Sequence, residues 1–187
     1  MAAPRPVVPA LLVVAAFSRH EDASIAARTE LERSWGPVAL MSEPFAFDQT
    51  AYYEPTMGAG LRKQLWAFHD LIDPDRLAEL KHQTNALEAS IAAGGTYTES
   101  RPINLDPGYL VLGKFLLATT KDQAHRVYLR DGIFAEVTLH YHAGAFRPWE
   151  WTYADYRLPG VLAFLEEART FYRGRLASAR GGSDPLC

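Results

Sequence analysis

Residues 7–17, VVPALLVVAAF, form an apolar run in which no polar position alternates with the apolar ones. A strand with one wet face would alternate, so this pattern suits a central strand covered on both faces. The run falls well short of the roughly 20 residues that span a bilayer, and Pro9 interrupts it. Arg5 alone precedes it as a basic residue, and Ser18, Arg19 and His20 follow in place of a small-residue cleavage site, so it does not read as a secretion signal.

Outward from this strand, residues 21–35 predict a helix, with Ile25, Ala26, Leu31 and Trp35 near helical spacing and Gly36-Pro37 as the stop. Residues 38–47 follow as a second strand, broken late by Pro44, and 48–60, DQTAYYEPTMGAG, have the composition of a surface loop. Residues 61–72 alternate imperfectly; a third strand is expected, with Leu65, Ala67 and Leu71 on one side and a helix as the alternative. Asp73-Pro74, an acidic cap followed by proline, opens a helix traced by Leu77, Leu80, Lys81, Thr84, Leu87 and Ile91 and closed at Gly94-Gly95. Residues 101–105 read as a short strand. Asp106-Pro107 repeats the cap-then-proline pattern and predicts a further helix through Leu110, Phe115, Leu117 and Ala118. Residues 125–129 and 133–141 alternate on either side of Arg130-Asp131-Gly132, a strong hairpin pattern. A last helix is expected over 159–177, with Leu162, Leu165, Phe171, Tyr172 and Leu176 as its apolar face, and a frayed tail over 181–187.

The class is therefore α+β. The first six elements, β-α-β-β-α-β, match the ferredoxin-like order, to which a helix, a β-hairpin and a C-terminal helix are added. At 187 residues, 48% hydrophobic and 22% charged, the chain can bury one core, and a single domain over 1–180 is expected. The net charge of −3 carries no strong nucleic-acid signal. Cys187 is the single cysteine, so no intrachain disulfide forms, and a cytoplasmic location without membrane attachment is expected.

Several clusters carry chemistry. Asn104 and Asp106 fall on one side of their strand, where helix-start N–H groups would hold an anion; equally, Asp106 acts as a plain cap. Thr119, Thr120, Lys121, Asp122, His125 and Arg126 gather cations, an acid and an imidazole at a helix end. On the hairpin, alternation places Ile133, Ala135, Val137, Leu139 and Tyr141 on one face and Phe134, Glu136, Thr138, His140 and His142 on the other. Glu136, His140 and His142 have metal-ligating side chains, but a wet sheet face accounts for them more simply and no metal is expected. Residues 149–157, WEWTYADYR, offer rings with polar handles that suit either a ligand-stacking wall or a loop pinned over the core.

The segments FAFDQTAYYEPTMG, INLDPGYLVLGKFLLATTKDQAHRVYL, GIFAEVTLHYHAG and WTYADYR, in this order, resemble the bacterial domain-of-unknown-function family 4416, and the resemblance runs from Val7 to about Arg173. It implies a common fold and a common polar cluster: Asp48, Tyr52 and Tyr53; residues 104–109 with Asn104, Asp106 and Tyr109; residues 119–121; His125 and Arg126; Glu136 and Thr138; and residues 151–153 with Trp151 and Tyr153. His140 and His142 lie outside that pattern. Some members are labelled GTP-binding proteins, yet the chain has no Gly-x-x-x-x-Gly-Lys-Ser/Thr loop to cradle phosphates.

The resulting expectation is one cleft in which Asp48, Tyr53, Asn104, Asp106, Lys121, His125, Arg126 and Glu136 bind a small anionic or nucleotide-like ligand, with Tyr109, Thr138, Trp151 and Tyr153 as further contacts. Lys121 and Arg126 would meet negative groups. Any chemistry would use His125 as acid or base, oriented by Asp106 or Glu136. No residue pattern specifies a cofactor or an oligomeric state. The rival is a non-catalytic module that presents residues 149–156 and Tyr52-Tyr53 to a protein or RNA.

Overall fold

In the computed structural model, which describes residue 3 and residues 6–181, the apolar run becomes β1 (Ala10–Ser18), buried along its whole length. Val7 and Val8, ahead of Pro9, stay exposed outside it. The chain continues through α1 (Glu21–Trp35), β2 (Val38–Met41), β3 (Phe45–Ala46), α2 (Glu54–Met57), β4 (Arg62–Ile72), α3 (Leu77–Ala93), β5 (Ile103–Val111), β6 (Lys114–Thr119), β7 (Val127–Arg130), β8 (Ile133–His142), β9 (Ala145–Pro148) and α4 (Pro159–Gly181). Short 3-10 turns occupy Pro74–Arg76 and Ala154–Arg157. The tail expected beyond residue 181 lies outside the described residues. Among the described residues no helix is long and apolar enough to cross a membrane.

The strands form one antiparallel sheet in the order β2-β4-β1-β5-β6-β8-β7, with β3 also paired to β4 and β9 to β8. Because strand side chains alternate, β1 divides its residues between two cores. Leu12 and Val14 join Trp66, Phe68 and Leu105 beneath Ala27 and Leu31 of α1 and Leu80 of α3. Leu11, Val13 and Ala15 join Leu65, Ala67, Leu110, Phe115 and Leu139 beneath Val161, Leu165, Ala168 and Tyr172 of α4. Each fully buried Leu or Val contributes roughly 1.5–3 kcal/mol, so β1 is the most densely stabilised strand of the domain.

The helix expected over 106–118 is instead a β-hairpin. β5 runs straight through Asp106 and Pro107, turns at Leu112-Gly113, and returns as β6. Asp106 does not cap a helix; its carboxylate is taken by Lys81 and Asn104. The missing N–H of Pro107 is tolerated because β5 aligns with β6 only from Gly108 onward. With both faces of this hairpin dry, the period-2 alternation that would have identified it is absent. At Gly108 the strands come so close that a Cβ would overlap the Leu116 carbonyl oxygen.

The Asp131-Gly132 turn forms as read, with both residues at positive φ (53° and 75°), as a type I′ turn requires. β8 does not alternate throughout, however. Leu117 pairs with Glu136 and Phe115 with Leu139, which leaves Thr138 as a bulge residue and reverses the faces beyond it. Ile133 and Ala135 therefore pack toward α3 whereas Leu139 packs toward α4. His140, opposite Lys114, comes out on the face away from Glu136.

Replacing Gly108 with Ala is expected to lower the urea midpoint by the equivalent of about 1–3 kcal/mol, the usual cost of forcing extra volume into a packed site. An unchanged midpoint would contradict the close β5–β6 approach.

Candidate functional site

Strand register gathers the site. Phe17 of β1 aligns with Lys63 of β4 and with Asn104 of β5, Ala15 aligns with Asp106, and Leu117 of β6 aligns with Glu136 of β8. Paired residues share a face, so Lys63, Asn104, Asp106 and Glu136 all stand on the α4 side of the sheet. They lie beyond the apolar rungs that α4 covers. Phe47, Tyr53 and Met57 from the α2 region cover Phe17 there, and the turn carrying Asp155 and Tyr156 lies over Lys63.

The first network grows from the open edge of β5. Lys81, although α3 packs on the opposite face, brings its ammonium 2.9 Å from both the Leu105 carbonyl and Asp106 Oδ1. Asn104 Nδ2 donates to Asp106 Oδ2 at 2.6 Å, and Arg101 donates to Asn104 Oδ1. Arg101 also pairs with Glu88 at 3.2 Å, and Glu88 accepts the Leu105 N–H at 2.6 Å. Burial pushes the Asp106 carboxyl up, but the charges of Lys81 and Lys63 and the hydrogen bonds from Lys81 and Asn104 together outweigh it and hold the carboxyl below its ordinary value. For Glu88 burial wins over Lys81 and Arg101, and its pKa is raised. Burial, assisted by the Asp106 charge, pushes the Tyr53 hydroxyl up to about 12.

A second pair, Lys63 Nζ to Asp155 Oδ2 at 2.6 Å, is buried on both sides. The Lys63 ammonium also faces the rings of Tyr156, Phe47 and Phe17 at 4.3, 5.1 and 5.5 Å, a cation–π enclosure.

The third network centres on Glu136, whose Oε2 accepts from Arg126 Nε at 2.8 Å and lies 3.2 Å from His125 Nε2. Arg126 further donates to the Lys121 carbonyl at 2.9 Å and to the Tyr153 hydroxyl at 2.8 Å, which occupies three of its five N–H groups. Lys121 in turn extends its ammonium over the Tyr52 ring at 4.4 Å, and Tyr52 meets Tyr53 edge to face at 5.0 Å. The Arg101 guanidinium stands 5.9 Å from the Tyr53 ring, so Tyr53 links the first network to the third through Tyr52.

Along their outer rim the rings stack. His125 lies on Trp151 (5.4 Å, 16°), Trp151 on Trp149 (5.2 Å, 10°), and His140 against Trp149 at 4.1 Å. This loop is fastened to β8 by Trp151 Nε1 donating to the Val137 carbonyl and Thr152 Oγ1 to the Thr138 carbonyl. Trp149, Trp151 and Tyr153 are 37%, 38% and 47% exposed, so the stack is neither sealed in the core nor free of it.

Of the residues singled out in the sequence, the fold brings together Tyr53, Asn104 and Asp106 on one side and Lys121, His125, Arg126, Glu136, Thr138, Trp151 and Tyr153 on the other. Asp48 stands apart, exposed, accepting from Gln49 at 2.6 Å. Tyr109 points to the opposite face and packs with Leu77 and Ala118. The sequence did not single out Lys63, Lys81, Glu88 or Arg101 as site residues, whereas Asp155 and Tyr156 fall within the run 149–157 that it did. Lys81 was visible as a charge inside the apolar stripe of α3, and Lys63 as a charge on the Leu65–Ala67 side of β4. Two surface grooves, about 700 Å³ between α1 and α3 and about 420 Å³ beside the start of α4, contain none of these polar residues.

Over residues 8–172 the chain matches the family described as a domain of unknown function, DUF4416, and it belongs to that family. No curated protein and no solved structure matches it.

Asp106→Asn should cost on the order of 3 kcal/mol at neutral pH, because it leaves the buried Lys81 ammonium without its counter-charge. The folded carboxyl lies below its unfolded value of about 3.9, so its contribution is present above that pH and is lost as pH falls through the folded value. The gap between the urea midpoints of wild type and variant should accordingly hold from pH 7 down to about pH 4 and narrow below it. A gap that does not change with pH would remove the charge from the explanation.

Proposed function

We propose that this DUF4416 protein binds a small anionic, nucleotide-like ligand at the polar end of its sheet. The observation that carries the reading is the position of His125, whose edge meets the buried Glu136–Arg126 pair while its face lies on Trp151. Beside it, among the described residues, the Lys121 ammonium pairs with no carboxylate and meets only Tyr52. Lys121 is therefore the anion contact. Arg126, buried and largely committed, is a positioning residue that sets the geometry of Glu136, Tyr153 and the Lys121 backbone. In this reading any proton transfer uses His125, with Glu136 orienting it, and Asp106 stays ionised under the charge of Lys81.

The framework proposed for this site is a ferredoxin-like core, β2-β4-β1-β5 crossed by α1 and α3, extended by β6–β9 and α4; the strand order supports it. A cytoplasmic location accords with the lone Cys187. The partial exposure of Trp149, Trp151 and Tyr153, next to the exposed edge-strand residues Val127 and Tyr128, supports the second reading, a docking surface for a protein or RNA.

Thermal denaturation in the presence of inorganic phosphate, ribose 5-phosphate and nucleoside monophosphates separates the two. A ligand at about 100 times its Kd stabilises the folded state by about 2.7 kcal/mol, a rise of roughly 5–10 °C for a chain of this size. Lys121→Ala and His125→Ala, both still folded, should weaken the response about tenfold or more, the loss expected for one charge-assisted hydrogen bond. No shift with any of these probes would transfer the weight to the docking surface.

A further inference from the structure

We infer that Tyr156 is a ligand-binding residue: its buried hydroxyl, which has no hydrogen-bond partner within the protein, takes a hydroxyl-bearing part of the ligand, such as the sugar of a sugar phosphate. The inference rests on the ligand reading above and adds to it the chemistry of the ligand's inner end.

Tyr156 is held rigidly. It lies in the 3-10 turn Ala154–Arg157, its ring is 5.8 Å from Phe115, and the Lys63 ammonium stands 4.3 Å from its face. The side chain is 2% exposed, yet its hydroxyl has no hydrogen-bond partner in the protein. Leaving a buried hydroxyl unpaired costs about 1–3 kcal/mol, and phenylalanine would supply the same ring, packing and cation–π contact without that cost. Packing therefore explains the ring but not the oxygen.

The surroundings indicate what the oxygen meets. Burial, together with the charges of Asp155, Asp106 and Glu136, holds the phenol un-ionised, so it can both donate and accept. Asp155 is committed to Lys63 and Asp106 to Lys81 and Asn104. Glu136 Oε1 has only a long contact to Thr138 at 3.5 Å and retains accepting capacity. Lys63, Lys81 and Arg126 are each already paired with one of these carboxylates, so no unpaired positive charge is left at this depth to hold an anionic group. An alcohol, which can accept from the phenol and donate to a carboxylate, satisfies both, and the anionic end of the same molecule is left to Lys121 near the surface.

Calorimetric titration of wild type and Tyr156→Phe with ribose 5-phosphate and with inorganic phosphate tests this, alongside urea unfolding of both proteins. The expected result is a variant at least as stable as wild type, with tenfold or greater loss of ribose 5-phosphate affinity and unchanged phosphate affinity. If the variant binds ribose 5-phosphate as wild type does, the role of Tyr156 is overturned while the ligand reading stands. A lowered urea midpoint would likewise overturn it, since the hydroxyl would then be satisfied within the fold. Wild-type protein that binds neither probe would remove the ligand reading, and this inference with it.

Discussion

The structure depends on β1 being dry on both faces. A strand flanked by two antiparallel neighbours and covered above and below has no polar position to spare, so its alternation assigns residues to two separate cores. α1 and α3 close one of these cores and α4 the other. Where apolar side chains on the α4 side give out, at the rung of Phe17, Lys63 and Asn104, the same register that built the core sets charged groups side by side. The polar end is thus a continuation of the core lattice with a different filling.

That filling is costly. Lys63, Lys81, Arg126 and Glu136 are all buried, and each is offset by a partner whose removal would leave a naked charge. The divergence of β5 from β6 ahead of Gly108 makes this possible. It leaves the Leu105 carbonyl free of the sheet ladder, and Lys81 crosses from the α3 side to occupy it. A fully laddered sheet would exclude that lysine and strand Asp106.

Much of the fold was legible in the sequence because local chemistry and tertiary context agreed. Residues 21–35, the Asp131-Gly132 turn and the C-terminal helix each carried their own start, stop or turn residues. Residues 106–118 failed because Asp-Pro is a helix-start pattern whose cap function was pre-empted by Lys81, a residue 25 positions away in the chain. β9 was missed because its turn, Ala143-Gly144, uses an alanine at φ 48°, a choice that turn preferences do not anticipate. Within the site, single-strand alternation correctly put Asn104 with Asp106. It could not foresee the Thr138 bulge, which parts Glu136 from His140, nor pairings such as Lys63 with Asp155 that join distant segments.

The enclosure of Lys63 also divides the lysines of this protein by chemical accessibility. Of the four in the sequence, Lys114 and Lys121 are exposed, whereas Lys63 lies within three rings and against a carboxylate, and Lys81 is sealed beneath β5. An amine-directed acylating reagent meets the first two in the native state and the last two only when the sheet opens. Lys63 and Lys81 are thereby built-in reporters of opening, one for the seam between β1 and β4 and the other for the gap between β5 and β6.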